Sequence, residues 1–185
     1  MNGDKPQKTS VTIDYGFFNM PVGVALIAAT KRGLCALRIG TDAGADEKLA
    51  DVRREFPCAD FRPDSATTQP LADQLVAFLS GRADTFQPTL DLLAGTAFQH
   101  AVWDELRRIA PGERISYTEL AARVGRPSAV RAVAGACASN GVAIAVPCHR
   151  VLRSDGSLSG YRWGREWKQR LLDLEAQMVA GRRAG

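Results

Sequence analysis

The apolar run Val142-Ala143-Ile144-Ala145-Val146 ends at Pro147 and is followed at once by Cys148, His149 and Arg150. Five consecutive apolar residues read as a buried strand, and proline, which cannot donate to a ladder, stops it. The chain must therefore deliver a thiol, an imidazole and a guanidinium from the end of a core element. Cysteine reacts as thiolate, and an ordinary thiol, with a pKa of roughly 8.5, is mostly protonated at neutral pH. A neighbouring base such as His149 takes that proton, and a third group commonly orients the base. Residue type alone favours a small packed cysteine; its neighbours favour a nucleophile.

The segments upstream support that delivery. Thr96 reads as an N-cap, with Phe98, Ala101, Val102, Leu106 and Ile109 on one helical face and Pro111-Gly112 as the stop. Ser116-Tyr117-Thr118-Glu119 has the form of a capping box that starts a second helix, which ends at Gly125. Arg126-Pro127-Ser128 then starts a third, with Val130, Val133, Ala134 and Cys137 at helical spacing. Two short helices around a tight turn read as a helix-turn-helix, the second being the recognition helix. Gly141 returns the chain to the run that delivers Cys148. Further on, Ser154 to Ser157 reads as a turn and Ser159 to Gly164 as a loop able to lid a pocket. A last helix, from about Arg165 to Ala180, packs through Trp167, Leu171, Leu174 and Met178. Glu175 lies about 40° around its axis from Leu171, at the edge of the apolar stripe, as a surface residue or a half-buried partner.

The first half carries less chemistry. Residues 1–20 read as a flexible tail and 21–82 as a small α/β domain. Within that domain, Val22 to Ala28 and Gly33 to Ile39 are strands, and helices span Asp46 to Phe56 and the region of Leu71 to Leu79. Residues 57–70 are expected to be a loop, 83–94 an extended connector, 95–180 the reactive domain and 181–185 a tail. Charge separates the halves: residues 1–94 hold 10 Lys/Arg against 12 Asp/Glu, and residues 95–185 hold 14 against 8. A basic half suits an anionic partner such as nucleic acid, although a solvated basic face satisfies the same count. The cysteines at 35, 58, 137 and 148 form no CxxC pair, which points to a reducing, cytoplasmic setting. With two histidines in the chain, no structural metal site is expected. No apolar run is long enough to span a bilayer, and the polar Met1 to Ser10 lacks a signal-peptide core.

Pro147-Cys148-His149-Arg150-Val151 resembles the acceptor motif of the O6-alkylguanine-DNA alkyltransferases. Gly95-Thr96-Ala97-Phe98-Gln99, Ser116-Tyr117, Val130-Arg131-Ala132-Val133, Asn140, Gly156 and Ser159-Gly160-Tyr161-Arg162-Trp163-Gly164 stand in the same order as in that family. The likeness is strongest to the C-terminal domain of the bacterial Ada branch. It covers roughly residues 22–178, weakly before position 94. It implies a ribonuclease H-like α/β N-terminal lobe and a mostly α C-terminal lobe with a winged-helix-like helix-turn-helix. It also implies a single-turnover transfer of an alkyl group from O6-alkylguanine, and O4-alkylthymine, in double-stranded DNA to Cys148. The expected agent is a monomer with no cofactor and no metal.

The resemblance carries roles residue by residue. Cys148 is the acceptor, His149 the base acting through water, Glu175 its orienting partner, and Asn140 a hinge between recognition helix and active-site run. Tyr117 presses on the neighbouring phosphate and gives a proton to the departing guanine. Arg131 fills the gap left by the flipped nucleotide, with Arg126, Ser128 and Ala129 beside it on the DNA. Pro147, Val151, Tyr161, Arg162 and Trp163 surround the base, with main-chain groups near Cys148 and Val151 reading it. Arg162-Trp163 stands where mammalian relatives have a small Ser-Gly pair, so bulky adducts are expected to fit poorly. No counterpart of Ada's N-terminal zinc domain is recognised, so phosphotriester repair is not carried over. The alternatives are a non-catalytic sensor of alkylated DNA, which would lack the acceptor cysteine, and a helix-turn-helix regulator with an inert thiol.

Overall fold

The computed structural model describes residues 10–21, 23–40 and 44–184. The expected tail over residues 1–9, the strand start at Val22 and the terminal Gly185 lie outside them. Among the described residues, six strands and six α-helices follow in the order β1 (Thr12–Met20), β2 (Gly23–Thr30), β3 (Gly33–Arg38), α1 (Ala45–Glu55), β4 (Asp60–Pro63), α2 (Ser65–Leu79), α3 (Ala97–Arg108), β5 (Ile115–Ser116), α4 (Tyr117–Arg123), α5 (Val130–Ala138), β6 (Val151–Leu152) and α6 (Arg165–Ala184).

The N-terminal lobe is a four-stranded sheet in the order β3-β2-β1-β4, antiparallel except for the parallel β1–β4 pair. Residues 12–20 correct the expected tail: they form β1, an inner strand of this sheet. Ile13, Tyr15 and Phe17 alternate as a strand requires. The run is hard to see because most of its side chains are only half-buried and polar residues precede it. Asp60–Pro63, expected as loop, is a short edge strand. The second helix starts earlier than expected, at Ser65, because Asp64 caps it by accepting from the amides of Ala66 and Thr67.

The sheet edge continues into the second lobe. Leu34 and Leu37 of β3 make parallel bridges to Leu90 and Val142, so the connector and the active-site segment both lie against it. The Leu37 amide donates to the Gly141 carbonyl at 3.1 Å, and the Ala143 amide donates to the Leu37 carbonyl at 3.1 Å. Beside them the buried Arg38 guanidinium donates to the Gly141 carbonyl and to Glu55, and its Nε donates to Asp51 at 2.8 Å. One apolar cluster spans both lobes, joining Ile27, Leu37 and Phe78 to Val102, Leu120, Val133, Cys148 and Leu171.

The run 142–146 is not a strand, contrary to expectation. Only Val142 pairs, and the chain then turns, with Ile144 at φ 67°. A continuous apolar run reports burial, and residues 141–150 are all buried, but burial alone does not choose the backbone conformation. In the helical lobe, α3 starts at the expected cap: Thr96 accepts from the Gln99 amide, and the Gln99 side chain accepts from the Thr96 amide. Ser116 likewise accepts from the Glu119 amide, whereas the Glu119 carboxylate pairs with Arg123. Helix α5, expected as a recognition helix starting near Ser128, begins at Val130. Arg126, Ser128 and Ala129 lie in the turn before it, closed by the Ala129 amide on the Arg126 carbonyl. The last helix runs to Ala184, so the expected tail over 181–185 is helical through residue 184.

Candidate active site

Pro147 ends the buried turn, and Cys148, His149 and Arg150 form a single 3-10 turn that leads into β6. Asn140 holds this turn from behind. Its side-chain amide donates to the Val146 carbonyl at 2.7 Å and to the Cys148 Sγ at 3.2 Å, while its oxygen accepts from the Val142 amide at 2.8 Å. One buried side chain therefore satisfies both ends of the 142–146 turn and touches the thiol. A ladder partner is not needed, because Asn140 supplies the donor and acceptor that one would have given.

Cys148 is 4% exposed and lines a cavity of about 560 Å³ with Tyr117, Ala134, Cys137, Arg153, Ser159, Tyr161 and Arg162. Burial pushes its thiol above the ordinary value; the Asn140 hydrogen bond and the Lys168 charge pull the other way without reversing it. At rest the sulfur is therefore protonated and needs a base.

His149 and Glu175 are both fully buried. Nε2 of His149 lies 2.9 Å from Oε1 of Glu175, which also accepts from Arg150 Nη2 at 2.7 Å and Nε at 3.0 Å. The other carboxylate oxygen accepts from the Gly112 amide and from Arg150 Nε, both at 3.1 Å. Burial alone would raise the Glu175 carboxyl, but the hydrogen bond from His149, the charge His149 carries when protonated, and the hydrogen bonds and charge of Arg150 outweigh it and hold the group at about 2. Glu175 is thus an ionised acceptor, and His149 must present an Nε2–H to it. Burial pushes the imidazole below its ordinary 6.5 despite the pull of Glu175, so it is neutral near pH 7. Its Nδ1 then carries a lone pair and has no hydrogen-bond partner among the described residues. The arrangement is a neutral base next to a protonated thiol.

Glu175 is therefore neither a surface residue nor half-buried, as its position on the stripe suggested. Arg150, given no role from sequence, carries the compensating charge, and its Nη1 also donates to the Ile109 carbonyl. Lys168 was also missed. It is fully buried and donates to the Val151 carbonyl at 2.6 Å and the Ser159 Oγ at 2.7 Å. It lies two turns before Glu175 on α6, and that shared face was the available signal.

Tyr117 starts α4 and reaches the cavity, with its hydroxyl 2.7 Å from the Ser159 Oγ. Tyr161 lies edge-on to Trp163, ring centres 5.0 Å apart, and to His149, 6.4 Å apart. Arg162 lines the cavity and donates to Asp51 of the N-terminal lobe at 2.8 Å. Trp163 faces a separate cleft between the lobes, and Pro147 and Val151 are buried and do not line the cavity. Arg126, Ser128 and Arg131 are exposed on the helix-turn-helix and Ala129 is half-exposed; none of them lines the cavity. The site thus has a buried reactive floor and an exposed helical face.

Residues 97–177 match the family described as 6-O-methylguanine DNA methyltransferase, DNA binding domain. The inducible methylated-DNA–protein-cysteine methyltransferase of Bacillus subtilis is 41% identical over 150 residues, covering 80% of this chain and 82% of the relative. The bifunctional transcriptional activator/DNA repair enzyme Ada of Escherichia coli is 42% identical over 168 residues, 91% of this chain. The match spans 47% of Ada, so this chain corresponds to about half of that protein. The crystal structure of Mycobacterium tuberculosis OGT in complex with DNA superposes with a TM-score of 0.74 at 35% identity, covering 91% of this chain and 94% of that one. The chain belongs to the methylated-DNA–protein-cysteine methyltransferase family.

Proposed function

We propose that this chain performs direct-reversal DNA repair, moving the alkyl group of O6-alkylguanine, and of O4-alkylthymine, in double-stranded DNA irreversibly onto its own Cys148. The observation that carries the reading is the protonated thiol lining a cavity, one residue from a neutral imidazole held by a buried carboxylate and guanidinium. The names of the relatives, and the DNA-bound state of one solved neighbour, support the same chemistry.

Nδ1 of His149 takes the Cys148 proton through water, and Glu175 with Arg150 stabilises the resulting imidazolium. The thiolate attacks the alkyl carbon, the bond from carbon to O6 breaks, and Tyr117 protonates the guanine that leaves. Substrate and acceptor are both in the complex, so no cofactor or metal enters. A base inside the stack is out of reach of this cavity, so the nucleotide rotates out at a cost of a few kcal/mol. Helix α5 docks in the minor groove, where Arg131 fills the gap and Arg126, Ser128 and Ala129 contact the backbone. Tyr161, Arg162 and Trp163 form the lid, and Pro147 and Val151 shape the wall near the base.

The chain acts as a monomer. Four free thiols support a reducing, cytoplasmic setting. The strand order supports a ribonuclease H-like N-terminal lobe, and the paired short helices a winged-helix-like C-terminal one. The acceptor thiol counts against a purely sensing or regulatory protein.

Titration against a duplex bearing one O6-methylguanine tests the reading. The intact mass is expected to rise by one methyl group and to saturate at one per protein. Cys148→Ala is expected to bind the duplex and gain nothing. A wild type that binds yet stays unmodified contradicts the proposal.

A further inference from the structure

We infer that Lys168 and Ser159 form a proton relay that resupplies Tyr117 during alkyl transfer, with Ser159 acting as a positioning residue for departure of the guanine. The inference rests on the repair reading above and adds to it a source for the leaving-group proton.

The direction of the chain follows from donor counting. An ammonium has donors only, so Lys168 must donate to Ser159, and the Ser159 Oγ at 2.7 Å must accept. Ser159 is then left with one proton and two acceptors in view. The Tyr117 Oη lies at 2.7 Å and the Gly160 carbonyl at 3.4 Å, and the relay requires the proton to lie on the shorter contact. Tyr117 is thereby an acceptor from Ser159, and its own proton is free to point into the cavity that Tyr117, Ser159 and Cys148 line together. Lys168 is fully buried, and its ammonium is held by the Val151 carbonyl and the Ser159 hydroxyl, with no carboxylate beside it among the described residues.

Its surroundings suit a donor. Burial, aided by Arg153, pushes the Lys168 ammonium below its ordinary 10.5 against the pull of Cys148 and Cys137. Burial pushes the Tyr117 phenol up, with Cys137 and Cys148 acting the same way and Ser159 and Arg153 opposing. A phenol that resists ionising is a poor donor alone and a better one when its proton is replaced as it leaves.

In the transfer step the Cys148 sulfur forms a bond to the alkyl carbon and the carbon–O6 bond breaks, its electron pair passing to guanine. Tyr117 gives its proton to a ring nitrogen, takes one from Ser159, and Ser159 takes one from Lys168. The proton that left Cys148 resides on His149, so one positive charge moves from Lys168 to His149 and the total is unchanged.

The test is the single-turnover rate of methyl transfer from an O6-methylguanine duplex, followed from neutral to alkaline pH. Wild type is expected to slow as pH rises through the lowered Lys168 titration. Ser159→Ala is expected to be about tenfold slower at neutral pH, to lose that falling limb and to keep its duplex affinity. Ser159→Thr, which keeps a hydroxyl, restores both rate and limb. An alanine variant with wild-type rate and pH profile overturns the relay, as does a loss of rate that parallels a loss of affinity and is not rescued by threonine. The wild type also gives a test that needs no variant: a rate that keeps rising to the range where tyrosine ionises contradicts the relay. A wild type that leaves Cys148 unmodified overturns the repair reading itself, a separate outcome.

Discussion

Replacing Glu175 with alanine is expected to lower the unfolding free energy by about 3–5 kcal/mol, because it strands a buried guanidinium. Arg150 would lose every carboxylate contact it makes, and the Gly112 amide and the His149 Nε2–H would lose their acceptor. Alkyl transfer is expected to slow about a hundredfold, since the general base would lose the group that sets its tautomer. Urea unfolding and single-turnover transfer measure the two effects separately. Glu175→Gln keeps the shape but not the charge. Its amide nitrogen must face a donor, so it is expected to fall between alanine and wild type.

The pH dependence has a defined sign. The folded Glu175 carboxyl sits at about 2, below its ordinary 4.5, so its stabilisation is present above 4.5 and is lost as pH falls toward 2. His149 is depressed below its ordinary 6.5, so the unfolded chain takes up a proton that the folded chain refuses as pH falls below 6.5. Wild type is therefore expected to lose stability in two stages on acidification. In Glu175→Ala the lower stage should disappear. An alanine variant with the wild-type acid profile would show that Glu175 is not held as an ion.

Asn140→Ala is expected to cost about 2–4 kcal/mol, because it leaves the Val142 amide and the Val146 carbonyl unpaired where water does not reach. The effect on chemistry should be separate and large. Without the Asn140 donor the thiolate loses a hydrogen bond that favours it, and the thiol moves further up. Transfer should slow at neutral pH and recover partly at higher pH. Asn140→Asp retains the acceptor for Val142 but sets a carboxylate against the sulfur and the Val146 carbonyl, so it should be slower than alanine. Transfer at the wild-type rate in both variants would contradict the role assigned to Asn140.

The parts of this chain that could be read early are those where one residue type has one cheap use. Thr96 and Ser116 cap helices because a side-chain oxygen two or three residues ahead of free amides has little else to do, and both helix starts follow from them. The Pro-Cys-His-Arg run was legible for the same reason. The turn at 142–146 was not, since its conformation is set by the Asn140 side chain and by the β3 edge, which comes from the other lobe. Strand β1 was hidden by its half-buried sides, and its place between β2 and β4 depends on partners distant in sequence. Glu175 was visible as a carboxylate at the stripe's edge, but its full burial depends on Arg150 arriving from another element. Lys168 shares a helix face with Glu175 and Ser159 opens the lid loop, but their pairing was not legible, because it is a contact between helix α6 and that loop.

The account turns on which thiol accepts the alkyl group. Of the four cysteines, Cys58 is exposed, whereas Cys35, Cys137 and Cys148 are buried. Unassisted alkylation would follow exposure and mark Cys58; transfer in the site would mark Cys148. Peptide-resolved mass spectrometry after reaction with an O6-methylguanine duplex separates the two. The account predicts one methyl group on the peptide carrying Cys148 and none on the other three. A methyl group on Cys58, or an unmodified Cys148 in a protein that has bound the duplex, would contradict it.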